Sequence, residues 1–392
     1  MRYDSHLNTA IQFLRDYEGS EPFASFIKKK FKQSKKFGSN DRKSIGNLCY
    51  CYFRLGHSLN KISIEERILV SLFLCQNESN EMLGHFKPIW NHNIAASVEE
   101  KVVLCNQSSI NVDISEIFPW KEQLSSRIDH VAFCKSFLQQ PRLFLRIRPG
   151  NENEIRKKLE RLDITYDAIS PSCLAFSNST KLDSIIDLNK QAVIQDLNSQ
   201  RVGELVSPFL SNQTRRINVW DCCAGSGGKS IMLYDRSSNI NLTVSDIRQT
   251  ILLNLKKRFK EAGITRYNSF AGDLTSASAL PISQLASFDL VIADVPCSGS
   301  GTWSRTPESL YFFNEKEIER YADVQKKIVF NILSRLKKGA IFIYVTCSVF
   351  KEENENIIDA IGKHFKIQPK EVKLFSGYGQ NADSMFAASF IV

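Results

Sequence analysis

No stretch of this sequence runs to about eighteen apolar residues, so no membrane-spanning helix is expected. The opening residues, MRYDSHLNTAIQFLRDYEGS, carry acids early and lack an apolar h-region, which argues against a secretory signal. Histidine is scarce: His6, His57, His85, His92, His130 and His364 are scattered and form no cluster. The ten cysteines show no paired spacing, so they read as reduced thiols of a cytoplasmic chain rather than a disulfide framework. Cys222 and Cys223 are neighbours at an expected strand end and point apart, and Cys49 and Cys51, two apart on an expected helix, face different ways. No further His or Cys completes a set beside either pair, so no metal site is expected.

What is present is an ordinary globular composition. The 392 residues are 43% hydrophobic and 24% charged, enough for two or three domains with real cores. A formal charge of +9 is modest and by itself only permits anionic partners. That charge is unevenly spread. Residues 26–54 set Lys28, Lys29, Lys30, Lys32, Lys35, Lys36, Arg42 and Lys43 against one acid, Asp41, with Phe31 and Phe37 between them. A charge run is ordinarily a solvated helix face. One with so few acids of its own favours phosphate, and Lys28, Lys29 and Lys30 are candidate RNA contacts.

Three stretches differ in pattern. Residues 1–130 read as helical, with apolar residues at three- and four-residue spacing in 48–55, 64–74 and 98–104. Residues 131–210 read as a small α/β module. In it Leu143, Leu145 and Ile147 alternate with Phe144, Arg146 and Arg148, as in a half-buried strand with arginines on one face. Arg146 and Arg148 are therefore candidate phosphate ligands. A charged helix over 152–162 and short strands near 165–168 and 173–176 follow.

Residues 211–392 repeat strand, loop and helix. Strands are expected over 217–220, 242–245, 268–270, 289–293 and 340–345, with helices over 250–262 and 317–336. This is the pattern of a doubly wound, mostly parallel sheet, whose ligands bind beyond the carboxyl ends of the strands. Those ends carry Asp221, Asp246, Asp273, Asp294 with Cys297, and Cys347. The loop DCCAGSGGKS (221–230) has glycines that allow a sharp turn and close approach of a ligand to a helix N-terminus. It is not a Walker loop, because Cys223 stands where that motif needs glycine, and its glycine spacing is wrong for a dinucleotide fingerprint. Asp246, after the next strand, is placed to accept from ribose hydroxyls. Loop and acid together favour a nucleoside-type cofactor without a pyrophosphate, which suits S-adenosylmethionine.

Taken together, NVWDCCAGSGGK (218–229), Asp246, Gly272-Asp273, FDLVIADVPCSGSGTWSRTPE (288–308) and YVTCSVFKEENE (344–355) resemble the RsmB/Sun-type RNA (cytosine-C5)-methyltransferases. QDLNSQ (195–200) is similar to the stretch preceding that family's catalytic domain, and FGSNDRKSIGNLCYCYFR (37–54) to its NusB-like helical domain. The resemblance implies an all-α NusB-like domain over 1–130, a small α/β RNA-binding module over 131–210, and a Rossmann-like methyltransferase domain over 211–392. It implies an S-adenosylmethionine-dependent enzyme, cytoplasmic and monomeric, that methylates carbon 5 of cytosine in RNA, with 16S ribosomal RNA the expected substrate. Cofactor contacts are expected from Cys223, Ala224, Gly225, Ser226, Gly227, Gly228, Lys229, Asp246, Asp273 and Asp294. Arg305, in the loop after Cys297, is a further candidate RNA contact. Two departures stand out: Ser226 where the family has proline, and Ser384-Met385 where it shows Gly-Phe.

The chemistry requires these residue types. Carbon 5 of cytosine is too weak a nucleophile to take a methyl group directly, and a thiolate added at carbon 6 makes it enamine-like. The resemblance assigns that attack to Cys347, the later release of the thiol to Cys297, and a hydrogen bond to the base edge to Asp294. Residue logic alone leaves the two cysteines interchangeable, since DNA cytosine-C5 enzymes attack with a cysteine after proline, as Cys297 is. An amino-group methyltransferase would show Asn/Asp-Pro-Pro-Tyr/Phe in place of the segment Val295–Ser298, and a purely RNA-binding protein would show degenerate catalytic positions.

Overall fold

Apolar residues at helical spacing form helices throughout the first third of the chain. The computed structural model describes residues 2–34, 36–211, 214–276 and 287–392, so Lys35 of the basic run lies outside the described residues. Two units emerge: Met1–Leu124 with Ile128–Gln140 and Thr302–Glu315, and Ser125–Arg127 with Pro141–Gly301 and Lys316–Val392.

The first unit is helical. Its helices include Arg2–Asp16, Phe23–Gln33, Ser39–Arg54, Ile64–Cys75, Val98–Gln107 and His130–Ser136. Ser63 caps Ile64–Cys75 by accepting from the Glu66 N–H, and Ser97 with Glu100 forms a reciprocal capping box on Val98–Gln107. The core is aromatic, with Tyr17, Phe23 and Phe53 meeting edge-on at ring separations of 5.0–5.7 Å. Residues 302–315, expected within the methyltransferase stretch, belong to this unit. They bring Trp303 against Phe118 and Trp120, Tyr311 against Tyr52 and Phe53, and the buried Glu308, whose Oε1 accepts from the Phe23 N–H at 3.1 Å.

The second unit holds two sheets. The smaller is antiparallel, with strands β1 (Leu143–Ile147), β2 (Asp167–Ser170), β3 (Cys173–Phe176) and β4 (Ala192–Ile194) in the order β2-β3-β1-β4. Strand β1 is interior and covered on both faces. Leu145 and Ile147 pack with Ile155, Leu159 and Leu174 of one core, while Phe144 joins Cys173, Ala175 and Leu197 on the other side. The expected solvent face of β1 is therefore absent, and Arg146 is an interior group.

The larger sheet has seven strands: β5 (Ile217–Asp221), β6 (Ile240–Asp246), β7 (Tyr267–Ala271), β8 (Leu290–Asp294), β9 (Ile341–Thr346), β10 (Pro369–Phe375) and β11 (Met385–Ile391). Their order is β10-β11-β9-β8-β5-β6-β7. Pairings among β5–β9 are parallel, and β11 runs antiparallel to both β9 and β10. Alternation along the strands feeds two cores. Val219, Ile343 and Val345 face one, with Leu255 and Phe259 of the helix Gln249–Glu261. Trp220, Phe342 and Tyr344 face the other, with Val329 and Ile332 of the helix Lys316–Leu333. All five strands expected from sequence in this region fall on β5–β9. The closing pair β10 and β11 was not anticipated. Among the described residues, no helix is long and apolar enough to cross a membrane.

Candidate active site

Strands β8 and β9 are parallel neighbours, with Asp294 opposite Val345. Two residues beyond Val345 and three beyond Asp294 the chain reaches Cys347 and Cys297, whose sulfurs lie 3.3 Å apart. The loops carrying them are tied together: Val295 N–H donates to the Val345 carbonyl at 3.1 Å, and Gly301 N–H to the Cys347 carbonyl at 2.9 Å. Both thiols are half-buried. The hydrogen bond with Cys347 and then burial hold the Cys297 thiol well above its ordinary range.

Lys229 adds the charge that this pair lacks. Its Nζ donates to Asp294 Oδ2 at 2.7 Å. Burial alone would lower the ammonium, yet the charge and hydrogen bond of Asp294, helped by Cys347 and Asp221, leave it raised. One thiol pair, one lysine and one carboxylate therefore share the mouth between β8 and β9.

The glycine loop lies at the end of β5. Gly227 has φ +83°, and a Cβ there would meet the Phe259 ring at 2.7 Å, so glycine is required twice over. Gly225 and Gly228 differ, because a Cβ on either meets nothing within 4 Å. Ser226, the departure from proline, is pinned by Arg258, which donates to its carbonyl at 3.0 Å and its hydroxyl at 2.8 Å. Asp246 buttresses the loop by accepting from the Gly225 N–H at 3.0 Å, and its other oxygen accepts from the Arg248 N–H at 2.9 Å. Asp273 is exposed and accepts from the Thr275 N–H and hydroxyl.

Asp221 is fully buried. One oxygen accepts from the Ser230 hydroxyl at 2.6 Å, and the other has no partner among the described residues. Burial, together with the charge of Asp294, pushes its carboxyl up to about 7, against the pull of Ser230. The open space before Gly225 and Gly228 fits the close approach of a bound molecule to the glycine loop.

Several expected RNA contacts are placed otherwise. Arg146 is buried and donates to Asp235 Oδ2 at 2.6 Å and Gln195 Oε1 at 2.8 Å. Arg148 grips the same Asp235 and the carbonyls of Asn189 and Ala262. These two guanidinium groups clamp the small sheet to the helix Gly228–Arg236. Burial of Arg146 in an interior strand demanded the partners that it has. Lys29 and Lys30 pair with Glu21 at 2.7 Å and Asp16 at 2.6 Å, acids that lie outside the run itself. Lys28 is exposed on the same helix. Arg305 is half-buried in the segment that belongs to the helical unit. Among the described residues, no group of His, Cys, Asp and Glu could hold a metal ion.

Sequence reasoning missed Glu353 and Asn354. Both are fully buried beside the two cysteine loops, although an EEN run reads as an exposed helix start. The apolar residues before and after the run, Val349-Phe350 and Ile357-Ile358, are the signal that the polar turn between them is enclosed.

A mostly parallel seven-stranded sheet with one reversed strand near its edge, a glycine loop after β5 and acids at strand ends define a Rossmann-like methyltransferase fold. Residues 209–390 match the family model "16S rRNA methyltransferase RsmB/F". The probable ribosomal RNA small subunit methyltransferase B of Synechocystis sp. is 27% identical over 268 residues, 67% of this chain and 58% of the relative. Its Bacillus subtilis counterpart, also described as probable, is 26% identical over 242 residues, 60% of this chain and 53% of the relative. The chain thus spans about half the length of the curated relatives it matches. Among solved structures, PH0851 superposes with a TM-score of 0.70 at 17% identity, covering 99% of this chain and 98% of that one. NSun6 from Pyrococcus horikoshii with SFG gives 0.59 at 13% identity, covering 70% and 96%. These likenesses in structure show a shared fold. Over residues 209–390 the chain is similar to the RsmB/F methyltransferases.

Proposed function

We propose that this chain is an S-adenosylmethionine-dependent RNA methyltransferase that modifies carbon 5 of a cytosine in small-subunit ribosomal RNA. The observation that carries the reading is the pair of thiols 3.3 Å apart beside the Lys229–Asp294 ion pair. The names of the relatives point to ribosomal RNA, and a fold neighbour seen with SFG, an S-adenosylmethionine analogue, agrees with the cofactor. Cys223 to Lys229, with Asp246, Asp273 and Asp294, are the residues that would hold the cofactor. When bound, S-adenosylmethionine supplies the electrophilic methyl group.

The chain's own groups do the rest. Cys347 adds to carbon 6, making carbon 5 nucleophilic. After methyl transfer Cys297, as the thiolate, takes the carbon-5 proton, the electron pair of that C–H bond restores the double bond between carbons 5 and 6, and the Cys347 thiolate leaves. Asp294, with Oδ2 held by Lys229, offers its other oxygen to the base edge. The cytosine must be unpaired or flipped out to reach the thiols. Lys28 and its neighbours on the helix Phe23–Gln33 would draw the RNA backbone electrostatically, since exposed pairs such as Lys29–Glu21 yield readily to phosphate.

The test uses ribosomal RNA fragments, methyl-labelled S-adenosylmethionine and nucleoside analysis of the product. Cys347→Ala should abolish formation of 5-methylcytidine, and Cys297→Ala should accumulate a denaturation-resistant protein–RNA adduct. Turnover by Cys347→Ala, or a product methylated on the amino group, would overturn the reading.

A further inference from the structure

The residue following each thiol is held by the same buried side chain. Before Cys297, the Pro296 carbonyl accepts from Gln325 Nε2 at 3.1 Å. After it, the Ser298 N–H donates to Glu353 Oε2 at 2.8 Å. The two holds are joined, because Gln325 Nε2 also donates to Glu353 Oε2 at 2.8 Å. On the other loop, the Ser348 hydroxyl, next after Cys347, donates to Glu353 Oε1 at 2.6 Å. One carboxylate thus spans both cysteine loops, one oxygen to each.

The surroundings need an acceptor there. Ser298 N–H, Gln325 Nε2 and the Ser348 hydroxyl all point hydrogen at the two oxygens. Gln325 cannot turn its amide over, because a turned Oε1 would face both the Pro296 carbonyl and Glu353 Oε2. On its other side the Tyr344 hydroxyl lies 3.0 Å from Gln325 Oε1. That hydroxyl also lies 2.6 Å from the Glu353 carbonyl. Glu353, Gln325, Tyr344 and Ser348 are all fully buried, so a donor facing a donor could not be relieved by water. Burial raises the Glu353 carboxyl, and the hydrogen bonds from Ser298, Ser348 and Gln325 oppose that rise.

We infer that Glu353 is a positioning residue: its carboxylate locks the Ser298 and Ser348 ends of the two loops together and thereby sets the 3.3 Å approach of Cys297 and Cys347. It touches neither thiol in the hydrogen-bond network, and acts through the residues that follow them. The inference rests on the proposed thiol chemistry for its consequence in turnover, but the geometric claim stands apart from that chemistry.

The experiment therefore has two readouts, applied to the full chain. The first is crosslinking of Cys297 to Cys347 by dibromobimane, which bridges only nearby thiols, with Cys297→Ser as the background. The second is methylation of an RNA fragment, with KM for S-adenosylmethionine and kcat measured separately. Glu353→Gln puts an amide donor against the Ser298 N–H and Gln325 Nε2, or against the Ser348 hydroxyl, which must then turn and accept. It should slow crosslinking at least tenfold and lower kcat at least a hundredfold, with KM within about threefold of wild type. The exchange Glu353→Gln/Gln325→Glu restores an acceptor opposite a donor and should recover part of both losses. If Glu353→Gln is poorly folded, Ser348→Ala removes only the link to Oε1 and should give a loss of about tenfold in each readout at unchanged KM. Crosslinking and kcat within threefold of wild type in the folded variant would overturn the inference. A wild-type protein that crosslinks but forms no 5-methylcytidine would instead sink the proposed function while leaving the positioning role to be read from the crosslinking alone.

Discussion

Asp221 is the residue where burial and chemistry pull hardest against each other. Its carboxyl ordinarily titrates near 3.8 and in the folded chain is pushed up to about 7. Between those values the folded state holds a proton that the unfolded chain has lost, so stability falls as pH rises through that window and levels off above it. Asp221→Asn removes this dependence. Relative to wild type, the variant should gain stability between pH 4 and pH 8, by on the order of a few kcal/mol, since each unit is worth about 1.4 kcal/mol. Chemical denaturation at the two pH values checks it, and a pH-independent difference would refute the assignment. The residue scale is also where the sequence was hardest to read. Arg146 and Arg148 read as solvent-facing because alternation reports which residues share a face, not whether that face is covered. Their true partner, Asp235, lies in another element and leaves no local signal. Glu353 was hidden for the mirror-image reason, an acid in a polar run that folds inward. Cys297 and Cys347 were legible because parallel strands in register bring their ends together.

At the scale of elements, the loop from β5 into the helix Gly228–Arg236 separates two jobs that sequence alone cannot tell apart. Gly227 is glycine for conformation and packing, having φ +83° and the Phe259 ring against it. Gly228 is glycine with open space before it. Gly227→Ala should therefore lower the free energy of unfolding by at least about 1–3 kcal/mol from backbone strain, before the clash is counted. Gly228→Ala should leave stability unchanged or slightly higher, as alanine is the better helix former by up to about 1 kcal/mol, yet weaken S-adenosylmethionine binding by filling the cradle. Thermal unfolding paired with calorimetric titration separates the two, and equal effects of both variants on stability would contradict this division. The strands that frame this loop were readable because β5–β9 are short apolar runs punctuated by helices. The pair β10 and β11 escaped notice because β11, Met385–Ile391, follows the last expected strand with no crossover pattern of its own and reverses direction beside β9.

For the whole molecule, connectivity matters more than any single element. The chain leaves the sheet unit after Gly301, only four residues past Cys297, contributes Thr302–Glu315 to the helical unit, and re-enters at Lys316. The segment is integral to its host's core: Trp303 and Leu310 are buried, and His57 is within 3.0 Å of the Leu310 carbonyl. A boundary drawn in sequence at residue 130 or 211 cannot show this, because the segment is distant in the chain from the helices that it completes. Two consequences follow. Residues 1–140 alone lack Trp303, Leu310 and Tyr311, so that fragment should unfold at a lower temperature and less cooperatively than the same fragment fused by a short linker to 300–316. In the full chain, Trp303→Ala should destabilise the helical unit by about 3–5 kcal/mol, the cost of emptying a large buried aromatic site. Because the same segment continues directly from the Cys297 loop, that variant should also lose methylation under conditions where the sheet unit remains folded. Hydrogen exchange resolved by peptide, measured beside activity, would show whether protection is lost in 2–107 and 302–315 while β5–β9 stay protected. Full activity accompanying lost protection in the helical unit would mean that the thiol loops do not depend on the unit into which their chain runs.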